Sequence, residues 1–241
     1  DTGEMHGEME RIGGVLAQMD EMVGFPSTLP PGSEQDYVKP GMQAVTAKPG
    51  SILVDQAGVR YMNESCSYEL YCETMLKRGN ANPSWAIMDA SFMEEYQLGG
   101  SVGIAKKPQA WLDSGYLKVA NTIGELAGKI GCDPAQLKAT VDRWNEMMAR
   151  GADEDFDRGV RYYDQFLGDP FHKPNATLGP LDKAPFYAVE VVPGDVSTYG
   201  GIVTDVNARV VKADGSVIEG LYATGTSTAS AMGRVYPGAG A

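Results

Sequence analysis

Few residues in this chain are of types that do chemistry unaided. Histidine, the usual proton carrier near neutrality, occurs twice, as His6 and His172. The three cysteines, Cys66, Cys72 and Cys132, form no CxxC pair, and with so few histidines they give no zinc-binding spacing. A nucleophilic thiol needs a neighbouring base, so the cysteines read as free thiols of a reducing compartment. The acidic run Asp153-Glu154-Asp155 with Asp157 reads as a solvated loop rather than a metal site. What remains are 12 tyrosines and a C-terminal stretch dense in small residues. There Gly220-Leu-Tyr-Ala-Thr-Gly225 runs into Thr226-Ser227-Thr-Ala229-Ser230-Ala-Met-Gly233, then Arg234-Val-Tyr236-Pro-Gly-Ala-Gly240-Ala241. Glycine has no Cβ, so such a loop lets backbone come close to another molecule. A tyrosine hydroxyl can donate a hydrogen bond, but its reference pKa near about 10 means that it needs help to act as a base.

These groups must be held by a folded scaffold, and 241 residues suffice for one or two domains with a real core. A net charge of −12 repels phosphate backbones and anionic lipid surfaces, which sets aside nucleic acid and membrane surfaces as partners. No apolar run is long enough to span a bilayer, and no charged-then-apolar leader opens the chain, so a cytoplasmic protein is expected.

Met5, Met9, Ile12, Leu16 and Met19 fall at helical spacing and predict a core-facing helix from Met5 to Met22. The Pro-, Gly- and Ser-rich stretch from Phe25 to Pro40 predicts a linker or a crossing between domains. Ser51-Ile-Leu-Val54, a turn at Asp55 to Gly58, and Val59-Arg-Tyr-Met62 predict a hairpin. A helix over 69–78 and a strand over 86–89 follow. Thr122 with Glu125, and Asp133 before Pro134, are helix start signals. Leu137, Val141, Trp144 and Met148 would line one face of the second of these helices. Two strands around the Asp214-Gly215 turn are expected near the C-terminus.

Two segments together carry a family resemblance. One is Ser51-Ile-Leu-Val-Asp-Gln-Ala-Gly-Val-Arg-Tyr-Met-Asn-Glu-Ser65 leading to Tyr68; the other is Gly220 to Gly225 with Met232-Gly-Arg-Val-Tyr236-Pro-Gly-Ala-Gly240. Both resemble the fumarate-reductase and succinate-dehydrogenase type of FAD flavoprotein, and more closely the 3-ketosteroid Δ1-dehydrogenases. Residues 173–187 and Val192-Pro-Gly-Asp195 resemble that family too. The fold this implies is α/β with an α+β catalytic domain, the C-terminal portion of a two-domain, Rossmann-type FAD-binding flavoprotein. Residues 1–30 would end the first FAD-domain segment, 31–196 form the catalytic domain, and 197–241 return to the FAD domain. No G-x-G-x-x-G occurs in the chain. The resemblance therefore implies that the fingerprint lies upstream, that this is a fragment, and that alone it binds FAD poorly.

The activity implied is 1,2-dehydrogenation of 3-ketosteroids, in which a base takes the α-proton and flavin N5 accepts the β-hydride. Tyr68 matches the family's proton-abstracting tyrosine. Tyr236 hydroxyl and the Gly240 N–H match the donors to the ketone oxygen, where negative charge develops. Gly225, Thr226, Ser227, Ala229 and Ser230 match residues that line FAD. Glu64 and Ser65 are expected only to hold the strand end, while Tyr162, Tyr163 and Phe166 line either an apolar steroid pocket or the core. The electron acceptor is left open. Competing readings are Δ4-(5α) dehydrogenation, fumarate-type reduction (for which the motifs offer no cationic clamp), and a non-catalytic remnant that has lost flavin.

Overall fold

A computed structural model describes residues 3–34, 39–99 and 107–236. They form two compact units, one of Asp1–Val23 with Asp195–Ala241, the other of Gly24–Gly194. In chain order the first elements are α1 (Glu4–Arg11), β1 (Leu16–Ala17), β2 (Met22–Ser27), α2 (Gln43–Thr46), β3 (Ser51–Val54), α3 (Tyr68–Lys77), β4 (Ser84–Met88) and α4 (Ala90–Glu95). Then come α5 (Gln109–Asp113), β5 (Lys118–Ala120), α6 (Ile123–Ile130), α7 (Pro134–Arg150), α8 (Tyr162–Phe166), β6 (Phe186–Thr198), β7 (Gly201–Ile202), β8 (Arg209–Val211) and β9 (Val217–Tyr222), with a 3-10 turn at Gly225–Ser227.

The larger unit is built on a sheet of order β2-β6-β4-β3, with β5 also paired to β6. The β3–β4, β4–β6 and β5–β6 pairings are antiparallel. Every residue of β3 and β4 is buried, which is why the two read as unbroken apolar runs. Side chains alternate across a strand. Leu53, Ala86, Met88, Val189 and Val191 join Tyr71 and Met75 of α3 in one core. Ile52, Val54, Trp85, Ile87 and Ala188 join Leu126 of α6 and Leu137, Val141 and Trp144 of α7 in another. The two start signals act as expected. Thr122 Oγ1 accepts from Glu125 N at 3.2 Å, and Asp133 Oδ1 accepts from Ala135 N at 2.7 Å. On α7 it is Met147 that is fully inward, with Met148 half-buried beside it.

In the smaller unit β1 pairs with β7, and β8 pairs with β9 around the Asp214-Gly215 turn. Met9, Ile202 and Val210 form its core, flanked by Leu16, Ile218, Leu221 and Ala223. The architecture is mixed α/β with antiparallel sheets. No helix among the described residues is long and apolar enough to cross a membrane.

The structure corrects four expectations. The first helix stops at Arg11, because Gly13 N and Gly14 N bond back to Glu10 O and Met9 O. Beyond it, Leu16 and Ala17 are strand residues, and Met5, Ile12 and Met19 are exposed. The hairpin turn forms, with Asp55 N donating to Val59 O at 3.0 Å, but residues 59–62 are not a strand. The Leu53 N–H that a returning strand could engage is taken by Glu64 Oε1 at 3.0 Å. Asp153 is not solvated like its neighbours Glu154 and Asp155; it is buried against Arg60. Tyr162 and Phe166, at 88% and 72% exposure, belong to no core, and Tyr163 is also exposed.

Candidate active site

In the larger unit Tyr68, which matches the family's proton-abstracting tyrosine, stands at the head of α3. The segment leading to it is fixed by an unusual amount of buried charge. Arg60 donates to both Glu64 oxygens at 2.8 Å and to both Asp153 oxygens at 3.1 and 2.9 Å. Its guanidinium lies 4.4 Å from the Trp144 ring and 5.2 Å from the Phe156 ring. Arg158, wholly buried, donates to Ser51 O and Lys48 O at 2.8 Å and reaches Glu64 Oε2 at 3.4 Å. Asn63 then organises the turn. Its Oδ1 accepts from Ser65 N at 2.8 Å, and its Nδ2 donates to Asp164 Oδ2 at 3.1 Å. Ser67 caps α3 by accepting from Leu70 N, and Tyr68 is the first helical residue. Tyr71, Cys72 and Met75 bury the inner face of α3. Tyr68 is half-buried, edge-on to Phe25 with ring centroids 5.4 Å apart and planes at 73°.

The expectation for Glu64 as a holder of the strand end is thus met by a specific device, and it has a pH signature. Burial works against the Glu64 carboxylate, but Arg60, Arg158 and the Leu53 N–H outweigh it and hold its pKa below the usual range. Asp153 is likewise opposed by burial and held low by Arg60 and by the Asp155 and Arg158 N–H groups. A carboxyl whose folded pKa is depressed adds stability that is complete above the unfolded value of roughly 4, and that is lost as pH falls through the folded value. The urea midpoint of the larger unit is therefore expected to fall below about pH 4. Tryptophan fluorescence follows it, since Trp85, Trp111 and Trp144 all lie in this unit. Asp153→Asn should flatten that acid limb; an unchanged limb refutes the assignment.

The cysteines offer no nucleophile. All three are free and buried, and burial pushes the Cys66 and Cys72 thiols up to about 12.

In the smaller unit, the loop after β9 carries the small-residue run. Gly225, Thr226 and Ser227 form the 3-10 turn and are exposed. The loop is stapled from beneath by main chain. Ala229 N donates to Ile202 O at 3.0 Å, Ser230 N to Tyr199 O at 2.9 Å, and Thr228 Oγ1 to Gly225 O at 2.8 Å. Gly201 makes this approach possible, since a Cβ there would lie 2.4 Å from the Thr228 carbonyl carbon. Two side chains that the sequence did not single out complete the support. Gln18, at a left-handed φ of 57°, donates from Nε2 to Ser230 O at 3.2 Å, and His6 Nε2 lies 3.2 Å from Ser227 O. No local sequence signal marks either in that role; the Gly200-Gly201 pair, which lets the loop approach, is the one sequence feature that could have pointed to it. Above the loop the space is open. Gly225 is left-handed at φ 68°, and a Cβ there would meet nothing within 4 Å. A fixed backbone with small exposed residues and open space in front fits a cradle for a bound cofactor. Tyr236 ends the described part of this loop and is half-buried; Gly240 lies outside the described residues.

The structure thus gathers Gly225, Thr226, Ser227, Ala229 and Ser230 into one loop of the smaller unit, with Tyr236 further along it. Tyr68 belongs to the larger unit.

Comparison with known proteins agrees with this reading of the fold. The family described as "FAD binding domain" matches residues 1–241. The chain is similar to the 3-oxosteroid 1-dehydrogenase of Mycobacterium tuberculosis, 44% identical over 200 residues that make up 80% of this chain and 36% of that one. It is also similar to 4-oxocyclohexanecarboxylate 2-dehydrogenase of Sinomonas cyclohexanicum, 42% identical over 200 residues, 80% of this chain and 34% of that one. The crystal structure of 3-ketosteroid delta1-dehydrogenase from Sterolibacterium denitrificans in complex with 1,4-androstadiene-3,17-dione superposes with a TM-score of 0.91 at 36% identity, covering 99% of this chain and 43% of that one. The chain spans about a third of the length of the curated relatives it matches.

Proposed function

Because the chain belongs to the FAD binding domain family, we propose that it serves an FAD-dependent dehydrogenation of 3-ketosteroids at the bond next to the ring ketone. The observation that carries this reading is the likeness to the steroid-bound dehydrogenase, which extends over 99% of the chain at 36% identity.

In this reading the smaller unit is part of a Rossmann-type flavin domain and the larger unit is the catalytic domain that interrupts it. The Gly225 turn with Thr226 and Ser227, and Ala229 and Ser230 behind it, would hold the cofactor. When bound, FAD supplies the acceptor for the hydride that leaves the β-carbon. Tyr68 takes the α-proton. It is the first residue of α3, behind the Ser67 cap. Tyr236 donates its hydroxyl hydrogen to the ketone oxygen, with the Gly240 N–H as second donor. Neutral donors in a dry site stabilise the charge that develops on that oxygen more than they stabilise the resting ketone. The setting is cytoplasmic, in keeping with three unpaired thiols, and a separate electron acceptor reoxidises the flavin.

One observation favours a second reading. Identity to a dehydrogenase of 4-oxocyclohexanecarboxylate is 42%, close to the 44% for the steroid enzyme. The proton and hydride chemistry would be the same on a single oxo ring. Anaerobic mixing of the full-length, flavin-loaded protein with a 3-keto-4-ene steroid is expected to bleach the flavin absorbance. Tyr236→Phe should slow that bleaching about 10²–10³-fold. Bleaching by 4-oxocyclohexanecarboxylate and not by steroid would move the assignment to the smaller ketone, and bleaching by neither would overturn both.

A further inference from the structure

The wall behind Tyr68 is more constrained than packing alone requires. Residues 40–42 run beside β2 in antiparallel register. Met42 N donates to Pro26 O at 2.7 Å, Thr28 N donates to Pro40 O at 3.0 Å, and Ser27 pairs with Gly41. That fixes the Gly41 backbone. The Phe25 ring lies against it so closely that a Cβ at Gly41 would sit 2.4 Å from Phe25 Cζ and 2.5 Å from Cε1. The same ring also meets the Tyr68 ring in an edge-to-face contact, with centroids 5.4 Å apart. The distance from β2 to α3 is set independently one turn along the helix. There Cys72 packs on Gly24 so tightly that a Cβ at Gly24 would lie 2.4 Å from the Cys72 Cβ. With strand and helix both held, the Phe25 ring touches both the hydrogen-bonded Gly41 backbone and the Tyr68 ring.

We propose that Phe25, backed by Gly41, is a positioning residue that aims the Tyr68 hydroxyl. The inference rests on Tyr68 being the base. A half-buried tyrosine in the first helical turn has several side-chain directions open to it, and the edge-to-face contact selects one. Proton abstraction is sensitive to such aim, since displacement by about 1 Å costs up to about 10²-fold in rate.

The test is steady-state kinetics on the flavin-loaded protein. Phe25→Leu removes the ring edge, and Gly41→Ala drives the ring forward; each is expected to lower kcat about tenfold with KM and flavin content unchanged. Phe25→Tyr should resemble Gly41→Ala, because its added hydroxyl would point from Cζ into Gly41. Gly41→Ala should have no further effect beside Phe25→Leu, whose shorter side chain leaves room for the methyl. That double variant also keeps the test open if Gly41→Ala alone folds poorly. Phe25→Leu should have no further effect beside Tyr68→Phe, which has no hydroxyl to aim. The same drop on both backgrounds would mean a structural role, and would overturn the proposal. So would a kcat within about twofold of wild type for Phe25→Leu in a protein that Tyr68→Phe cripples. If Tyr68→Phe itself leaves kcat unchanged, the base assignment fails, and the positioning role falls with it.

Discussion

If Tyr68 is the base of the proposed reaction, Tyr68→Phe should lower kcat for 3-keto-4-ene steroids by about 10²–10⁴-fold, the range for loss of a positioned general base. The substitution isolates the hydroxyl. Phenylalanine keeps the ring that meets Phe25 at 5.4 Å, and it leaves the Ser67 cap of α3 untouched. Flavin absorbance and steroid affinity should therefore match wild type, and the loss should fall on kcat. A phenol with a reference pKa near about 10 is a base only as its anion. Wild-type kcat/KM should accordingly rise with pH toward the alkaline side, and that limb should vanish in Tyr68→Phe. This separates the role from the one proposed for Tyr236, a hydrogen-bond donor to the ketone oxygen, whose loss should lower the whole profile without moving the limb. A kcat within about threefold of wild type, with the limb intact, would remove Tyr68 from the mechanism.

What the sequence revealed follows how local the determining physics is. Caps are local, so α6 and α7 were legible from Thr122 with Glu125 and from Asp133 with Pro134. The β3 and β4 runs were legible because both faces of their sheet are covered, which leaves no polar positions to blur them. The stripe Met5, Met9, Ile12, Leu16 and Met19 misled because periodicity cannot see partners. Leu16 and Ala17 pair with Ile202 and Gly201 from the other end of the chain. The same blindness hid the Arg60–Asp153 ion pair, whose members are 93 residues apart. Asp153 could not be told from Glu154 and Asp155 beside it, although one is buried and two are not. At the candidate site, the glycine and hydroxyl density around Gly225 had a physical meaning in itself. A tyrosine opening a helix has none, so Tyr68 was singled out only through its family resemblance. The Phe25–Gly41 contact behind it has no sequence signature.

Arg60→Met should cost the larger unit about 3–5 kcal/mol, because it leaves buried carboxylates without their partner. The loss would not be spread evenly. Glu64 keeps Arg158 and the Leu53 N–H, whereas Asp153 keeps only the Asp155 and Arg158 N–H groups. Asp153 is thus the group stranded, and replacing it as well should recover part of the loss. Arg60→Met with Asp153→Leu is expected to be more stable than Arg60→Met alone, since a buried pair exchanged for apolar side chains is often close to neutral. Arg60→Lys is not a gentle alternative: one ammonium cannot bridge two carboxylates bidentately or stack on Trp144 and Phe156 as the planar guanidinium does. Urea unfolding followed by tryptophan fluorescence measures all three variants. A shift below about 1 kcal/mol for Arg60→Met would show that water reaches the carboxylates once the guanidinium is gone. The network would then be a packing feature and not the anchor of the segment that carries Tyr68. A large loss recovered by the double variant has a consequence for activity. The Asn63-to-Ser67 turn would then depend on charge pairing, and the residual activity of Arg60→Met should fall faster with acid than that of the wild type, as the depressed Glu64 carboxyl loses its strongest partner.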